Sequence, residues 1–141
     1  MDERVCSGEA ATRQLGRELA ARLRPGDAVL LFGDLGSGKT VFVRGLAEGL
    51  DLDPLEVASP TFALVHEYGP PGRPAVLLHA DLYRLADDPG GRSVANLGLD
   101  SRGDAFLAVE WPRPPLSDLR AVRVTLEEIA GGARRIRVET P

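Results

Sequence analysis

The first half of the chain shows two different hydrophobic periods. Leucines recur at four-residue intervals within residues 7–23, which predicts an amphipathic helix with Ser7 as the candidate N-cap. The largely apolar run 27–32 is typical of a short buried strand. A glycine-rich turn follows, and apolar residues at helical spacing then predict a second helix over residues 39–50. The order is therefore helix, strand, glycine turn, helix.

The second half favours strands joined by tight turns. The predicted strands are residues 62–68, 74–79, 105–109, 122–126 and 135–138. Turn-forming residues between the first two and between the last two predict two hairpins. Residues 82–98 have no clear period. We expect a mixed sheet with few helices.

Composition limits the class of protein. With 141 residues, 43% hydrophobic and 27% charged, the chain is expected to form a single domain over residues 1–141. Its longest apolar runs are far shorter than the roughly 20 residues of a membrane helix, and its N-terminus lacks the pattern of a secretory signal. We therefore expect a cytoplasmic protein without membrane contact.

The cysteine content and the net charge limit the ligands and partners that the chain is expected to bind. The single cysteine, Cys6, has no partner for a disulfide or a structural zinc site, so any metal is expected to bind through oxygen ligands. The net charge of -4 argues against a generic polyanion binder. Contact with nucleic acid is then expected to be local or to depend on a partner.

The glycine turn carries the most specific motif. It reads Gly33-Asp34-Leu35-Gly36-Ser37-Gly38-Lys39-Thr40 and fits GxxxxGK[ST], between a predicted strand and a predicted helix. Such a loop cradles phosphates with its backbone N–H groups, and Lys39 is placed for the outer phosphates. Thr40 would offer its hydroxyl to Mg²⁺. The sequence thus predicts a nucleotide site in an α/β, P-loop NTPase-like three-layer domain, with a mixed sheet and a C-terminal half rich in hairpins.

Hydrolysis also requires an acidic residue at a strand end. Asp81 and Glu110 each follow an apolar run, and the spacing favours neither, so both are candidates for catalysis and metal binding. Thr61 lies in a segment that is either a phosphate-sensing switch or a turn before a strand. For His66 and His79, packing or a surface hydrogen bond is the expected role.

Four blocks in this order resemble the TsaE family, the small bacterial ATPases of tRNA threonylcarbamoyladenosine synthesis. They are the P-loop itself, Ser59-Pro60-Thr61-Phe62, Asp81-Leu82-Tyr83-Arg84-Leu85 and Val109-Glu110-Trp111-Pro112. The resemblance implies ATP and Mg²⁺ as ligands and TsaB and TsaD as partner proteins. It also implies that tRNA is reached through that complex, whose transfer step belongs to TsaD.

The resemblance also implies roles for individual residues. It makes Lys39, Asp81 and Glu110 catalytic, with Thr40, Glu110 and Asp81 at the metal. The residues implied around the nucleotide are those of the P-loop, together with Thr12, Val41, Thr61, Trp111 and Arg134.

Two other classes of function remain open. A small-molecule P-loop kinase would need an acceptor-binding region and usually a lid with arginines. A nucleotide-binding interaction module would bind without useful turnover. Phosphate release measured with and without partners separates these classes from a partner-regulated ATPase.

Overall fold

The computed structural model describes residues 2–57, 64–85, 97–99 and 102–141. The strands are β1 Asp2–Cys6, β2 Ala28–Phe32, β3 Val65–Tyr68, β4 Leu77–Asp81, β5 Phe106–Glu110, β6 Val122–Glu128 and β7 Arg134–Glu139. The α-helices in this described part are α1 Glu9–Ala20 and α2 Lys39–Gly49.

The seven strands of the described part form one mixed sheet in the order β1-β7-β6-β2-β5-β4-β3. The four central strands, β6, β2, β5 and β4, are parallel, whereas β3, β7 and β1 pair with their neighbours in antiparallel register. This confirms the predicted α/β class and both predicted hairpins, β3–β4 and β6–β7. The glycine turn follows β2, in the middle of the parallel strands.

Both faces of the sheet are covered, as the alternation along β2 shows. Val29 and Leu31 belong to the core cluster beneath α1 and α2, whereas Ala28 and Leu30 belong to the cluster on the opposite face. The opposite cluster is completed from outside the sheet by leucines 82, 99 and 116. The sheet is therefore the middle of three layers.

The two helices cross at very close range because glycines line the contact. A Cβ on Gly45 would overlap the backbone oxygen of Arg13, and one on Gly16 would overlap that of Phe42. At the rim, the Arg13 and Arg17 guanidinium groups donate to Glu48 at 2.7 and 2.9 Å. This packing fixes α2, whose first residues belong to the P-loop motif.

The structure corrects several predicted boundaries. The N-cap of α1 is Gly8 rather than Ser7, and it has no capping side-chain bond. Strand β1 was not predicted. Strands β4 and β5 extend to Asp81 and Glu110, so each acid is the last residue of its strand rather than the residue after it. Among the described helices, none is long and apolar enough to cross a bilayer.

Candidate nucleotide-binding site

Residues 33–38 connect the carboxyl end of β2 to the N-terminus of α2. Gly36 and Gly38 have φ angles of 77° and 101°, in the left-handed region that favours glycine. Gly33 is confined by its neighbours, because a Cβ there would lie 2.5 Å from Ser37 Oγ and 2.6 Å from the Leu126 carbonyl oxygen. Glycine is therefore required in this loop for conformation and for space.

Lys39 points back into the loop. Its Nζ donates to the carbonyl oxygens of Gly33 at 2.5 Å and Asp34 at 2.9 Å, and it lies 4.3 Å from the centre of the Trp111 ring. Burial lowers the pKa of Lys39, and the negative charges of Glu110, Asp81 and Asp34 oppose that shift. The ammonium group is thus largely desolvated, with two carbonyl oxygens and an aromatic ring around it.

Thr40 and Glu110 meet although 70 residues separate them. The Thr40 hydroxyl lies 3.1 Å from Glu110 Oε2 and 3.3 Å from Oε1, and Glu110 is only 3% exposed. A hydroxyl beside a carboxylate is the hard oxygen set that suits Mg²⁺, which takes few protein ligands and keeps several waters. These two residues therefore fit the metal that the P-loop motif implies.

His79 is the second partner of Glu110. Its Nε2 lies 2.6 Å from Glu110 Oε2, and the histidine is fully buried on β4. The sequence reasoning placed His79 in packing or a surface hydrogen bond. The sequence does contain one indication that His79 belongs to the site. Residues 79 and 81 lie on the same face of a strand, so His79 is expected on the face that carries Asp81.

Asp81 lies directly beside Glu110, since the two residues are register partners at the ends of β4 and β5. Its Oδ1 accepts a hydrogen bond from the backbone N–H of Tyr83 at 3.0 Å. That bond turns the chain after β4 and keeps the carboxylate at the edge of the sheet. The two predicted acids, Asp81 and Glu110, therefore lie side by side at the carboxyl ends of two neighbouring strands.

The Trp111 ring covers one side of the Lys39 ammonium group. Its backbone adopts a left-handed conformation, with φ of 55°, immediately after β5. Its ring lies 5.0 Å from that of Tyr83, centre to centre, as well as over Lys39. The two rings form an aromatic wall beside the ammonium group.

Arg134 reaches the loop from β7. Its Nε donates to the carbonyl oxygen of Ser37 at 3.0 Å, and one of its terminal nitrogens donates to that of Gly36 at 3.1 Å. The guanidinium therefore braces the backbone of the P-loop. Thr12, on the buried face of α1, lies on the same side of the loop, near Gly38.

A cavity of about 390 Å³ joins these groups, a size within the range of small-molecule sites. Its described lining consists of Gly8, Glu9, Thr12, Leu35, Gly36, Gly38, Lys39, Thr40, Val41, Asp81, Glu110, Trp111, Gly132 and Arg134. Gly33, Asp34 and Ser37 are not among these lining residues, but their backbone carbonyls accept hydrogen bonds from Lys39 and Arg134, which are. Thr61 lies outside the described residues. No local sequence signal marks Gly8, Glu9 or Gly132, which reach the cavity only through the fold.

Comparisons with known proteins agree with this arrangement. The sequence model of the family described as "Threonylcarbamoyl adenosine biosynthesis protein TsaE" matches residues 6–136. The tRNA threonylcarbamoyladenosine biosynthesis protein TsaE of Streptomyces coelicolor is 42% identical over 115 residues, which cover 81% of this chain and 76% of that protein. The Aquifex aeolicus protein of the same description is 38% identical over 112 residues, 79% of this chain and 77% of its own length.

A solved structure matches as well. The crystal structure of Bacillus subtilis YdiB superposes with a TM-score of 0.71 at 26% identity, covering 97% of this chain and 83% of that one. The likeness therefore extends to the whole arrangement of helices and strands.

Proposed function

Because the chain belongs to the TsaE family of threonylcarbamoyl adenosine biosynthesis proteins, we propose that it binds and hydrolyses ATP for that pathway. The pathway installs N6-threonylcarbamoyl on adenosine 37 of tRNAs that read codons beginning with A. In this proposal the protein acts in the cytoplasm with TsaB and TsaD, and it meets tRNA through their complex.

One observation carries the proposal. Lys39, Thr40, Asp81 and Glu110 come from three different parts of the sequence and line the same cavity at the carboxyl edge of the parallel strands. In α/β sheets this edge is where ligands bind. Phosphoryl transfer requires a cation for the phosphates, oxygen ligands for a metal and an acid that orients water, and these four residues supply all three.

The contacts of Lys39 support a role in binding the phosphates of the nucleotide. Its ammonium group donates to the carbonyls of Gly33 and Asp34. Bound nucleotide would offer outer phosphate oxygens to the same donors, and these ionised oxygens are stronger acceptors than the neutral carbonyls. The Trp111 ring excludes water from one side and strengthens the interaction.

Glu110 and Asp81 have different roles in this proposal. Glu110, which accepts a hydrogen bond from the Thr40 hydroxyl, would hold the metal together with that hydroxyl. Bound magnesium would neutralise charge that develops on the phosphates. Asp81, one strand farther from the P-loop, orients the attacking water.

The test is phosphate release by the full chain, alone and with TsaB and TsaD, together with a screen for phosphorylated small molecules. We expect slow release by the isolated protein, stimulation by the two partners and no phosphorylated acceptor. Transfer of the phosphate to a small acceptor would instead identify a kinase. Nucleotide binding without release under any condition would identify an interaction module.

A further inference from the structure

We propose that His79 is a positioning residue that fixes the Glu110 carboxylate and thereby sets the affinity of the site for magnesium. The inference rests on the proposed function, because it assigns Glu110 to the metal. It concerns a residue that sequence reasoning placed in packing or a surface hydrogen bond.

The first support is the contact itself. His79 Nε2 lies 2.6 Å from Glu110 Oε2, with His79 0% and Glu110 3% exposed. A buried hydrogen bond to a carboxylate is short and strong, because little water competes for either group. The bond also joins two neighbouring strands, so the backbone holds both of its ends.

The second support is the direction of the hydrogen bond. An ionised carboxylate only accepts, so Nε2 must be the donor. His79 Nδ1 is buried and has no hydrogen-bond partner among the described residues. A proton on Nδ1 would leave a buried N–H without an acceptor, which is costly. The network therefore assigns the Nε2–H tautomer, whose proton points at Glu110.

The third support is how the two carboxylate oxygens are used. His79 holds Oε2, and the Thr40 hydroxyl lies against both oxygens at 3.1 and 3.3 Å. With Oε2 anchored, rotation of the carboxylate is restricted, so it stays beside the Thr40 hydroxyl, with which it would hold the metal. Groups that orient metal ligands in this way typically change metal affinity by about 10- to 100-fold when they are removed.

A packing role alone makes a different prediction. The side chain of His79→Gln places an amide N–H near the position of Nε2, whereas that of His79→Leu fills similar space without a donor. If His79 only fills the core, the two variants behave alike. If it positions Glu110, glutamine restores metal affinity and leucine does not.

The experiment measures the affinity of the full chain for ADP, in the absence of magnesium and across a magnesium titration. For His79→Leu we expect the magnesium midpoint to rise about 10- to 100-fold, with metal-free ADP affinity within about twofold of wild type. For His79→Gln we expect a midpoint near that of wild type. Electron paramagnetic resonance of Mn²⁺ gives a second measure of metal binding, one that does not depend on activity.

His66 supplies a matched control. It stands opposite His79 in the β3–β4 register, and its Nδ1 is hydrogen-bonded to the hydroxyl of Tyr68 at 3.1 Å. His66→Leu should keep the wild-type midpoint. Circular dichroism checks each fold, and His79→Asn, whose amide is too short to reach Glu110, replaces the leucine variant if that one does not fold.

The outcomes separate the two proposals. An unchanged midpoint in His79→Leu, or equal shifts in the leucine and glutamine variants, overturns the positioning role while nucleotide binding stands. A wild-type protein that binds no nucleotide overturns the proposed function, and the positioning role with it.

Discussion

At the scale of single residues, Lys39 shows how one side chain is restricted by its surroundings. It is the only lysine among 17 basic residues, the other 16 being arginine. Its Nζ fits between two loop carbonyls and the face of Trp111. A guanidinium is planar and wider, and it directs its donors in a fixed fork, so it does not fit the same space.

Lys39→Ala and Lys39→Arg are therefore both expected to lower ATP turnover by about 100-fold or more, because the arginine keeps the charge but not the geometry. The fold should survive, which circular dichroism checks. Steady-state phosphate release in the presence of TsaB and TsaD is the measurement. An arginine variant that hydrolyses ATP at the wild-type rate would contradict this interpretation.

Replacing Glu110 and replacing Asp81 should impair ATP hydrolysis in different ways. Glu110 contacts Thr40, so Glu110→Ala is expected to raise the magnesium concentration needed for half-maximal activity. Asp81→Ala should chiefly lower the maximal rate, since its proposed role is to orient water. Magnesium titrations of both variants test the division, and equal midpoint shifts at an unchanged maximal rate would refute it.

At the scale of elements, hydrophobic period revealed the buried segments and missed the exposed ones. Strand β2 is almost entirely buried and was predicted within one residue. Strand β1 exposes three consecutive residues, Glu3, Arg4 and Val5, so it has no alternation to detect. It is a strand because β7 pairs with it along its whole length. That partner strand lies 128 to 136 residues farther along the sequence, from the pair Cys6 and Arg134 to the pair Asp2 and Val138.

The same reason separates the parts of the site that were predicted from those that were not. The P-loop is a local motif and both acids end apolar strands, so short windows of sequence contain their signals. His79 carries no motif of its own, and its role depends on β4 lying beside β5. Gly8 and Gly132 reach the cavity because α1 and the β6–β7 turn converge on the loop.

The glycine contact between α1 and α2 makes the helix pair sensitive to a single methyl group. At an exposed helical site, Gly→Ala stabilises by about 1 kcal/mol. At Gly45 the added Cβ would meet the backbone of Arg13, which cannot move aside as a side chain can. We expect Gly45→Ala to destabilise the protein by about 1–3 kcal/mol. Denaturant unfolding measures the change, and a gain in stability would show that the helices are not so closely packed.

At the scale of the whole molecule, charge bears on whether the protein binds tRNA by itself. The net charge is -4, and several exposed arginines are already paired with acids. Arg4 pairs with Glu18, and Arg135 and Arg137 both pair with Glu3. A paired guanidinium offers little net positive charge to a phosphate backbone.

The isolated protein is therefore expected to bind tRNA weakly at physiological salt, with a Kd no tighter than the roughly 10⁻⁴ to 10⁻⁶ M of nonspecific binding. With TsaB and TsaD present, the tRNA should join the complex at much lower concentration, since the proposed function assigns the tRNA contacts to those partners. Fluorescence anisotropy of labelled tRNA, with and without the partners, measures both affinities. The Lys39→Ala variant is the control, because a site that holds nucleotide phosphates should not change the affinity of the isolated chain for tRNA. Tight binding of tRNA by the isolated wild-type protein would replace the partner-dependent scheme with direct recognition by this chain.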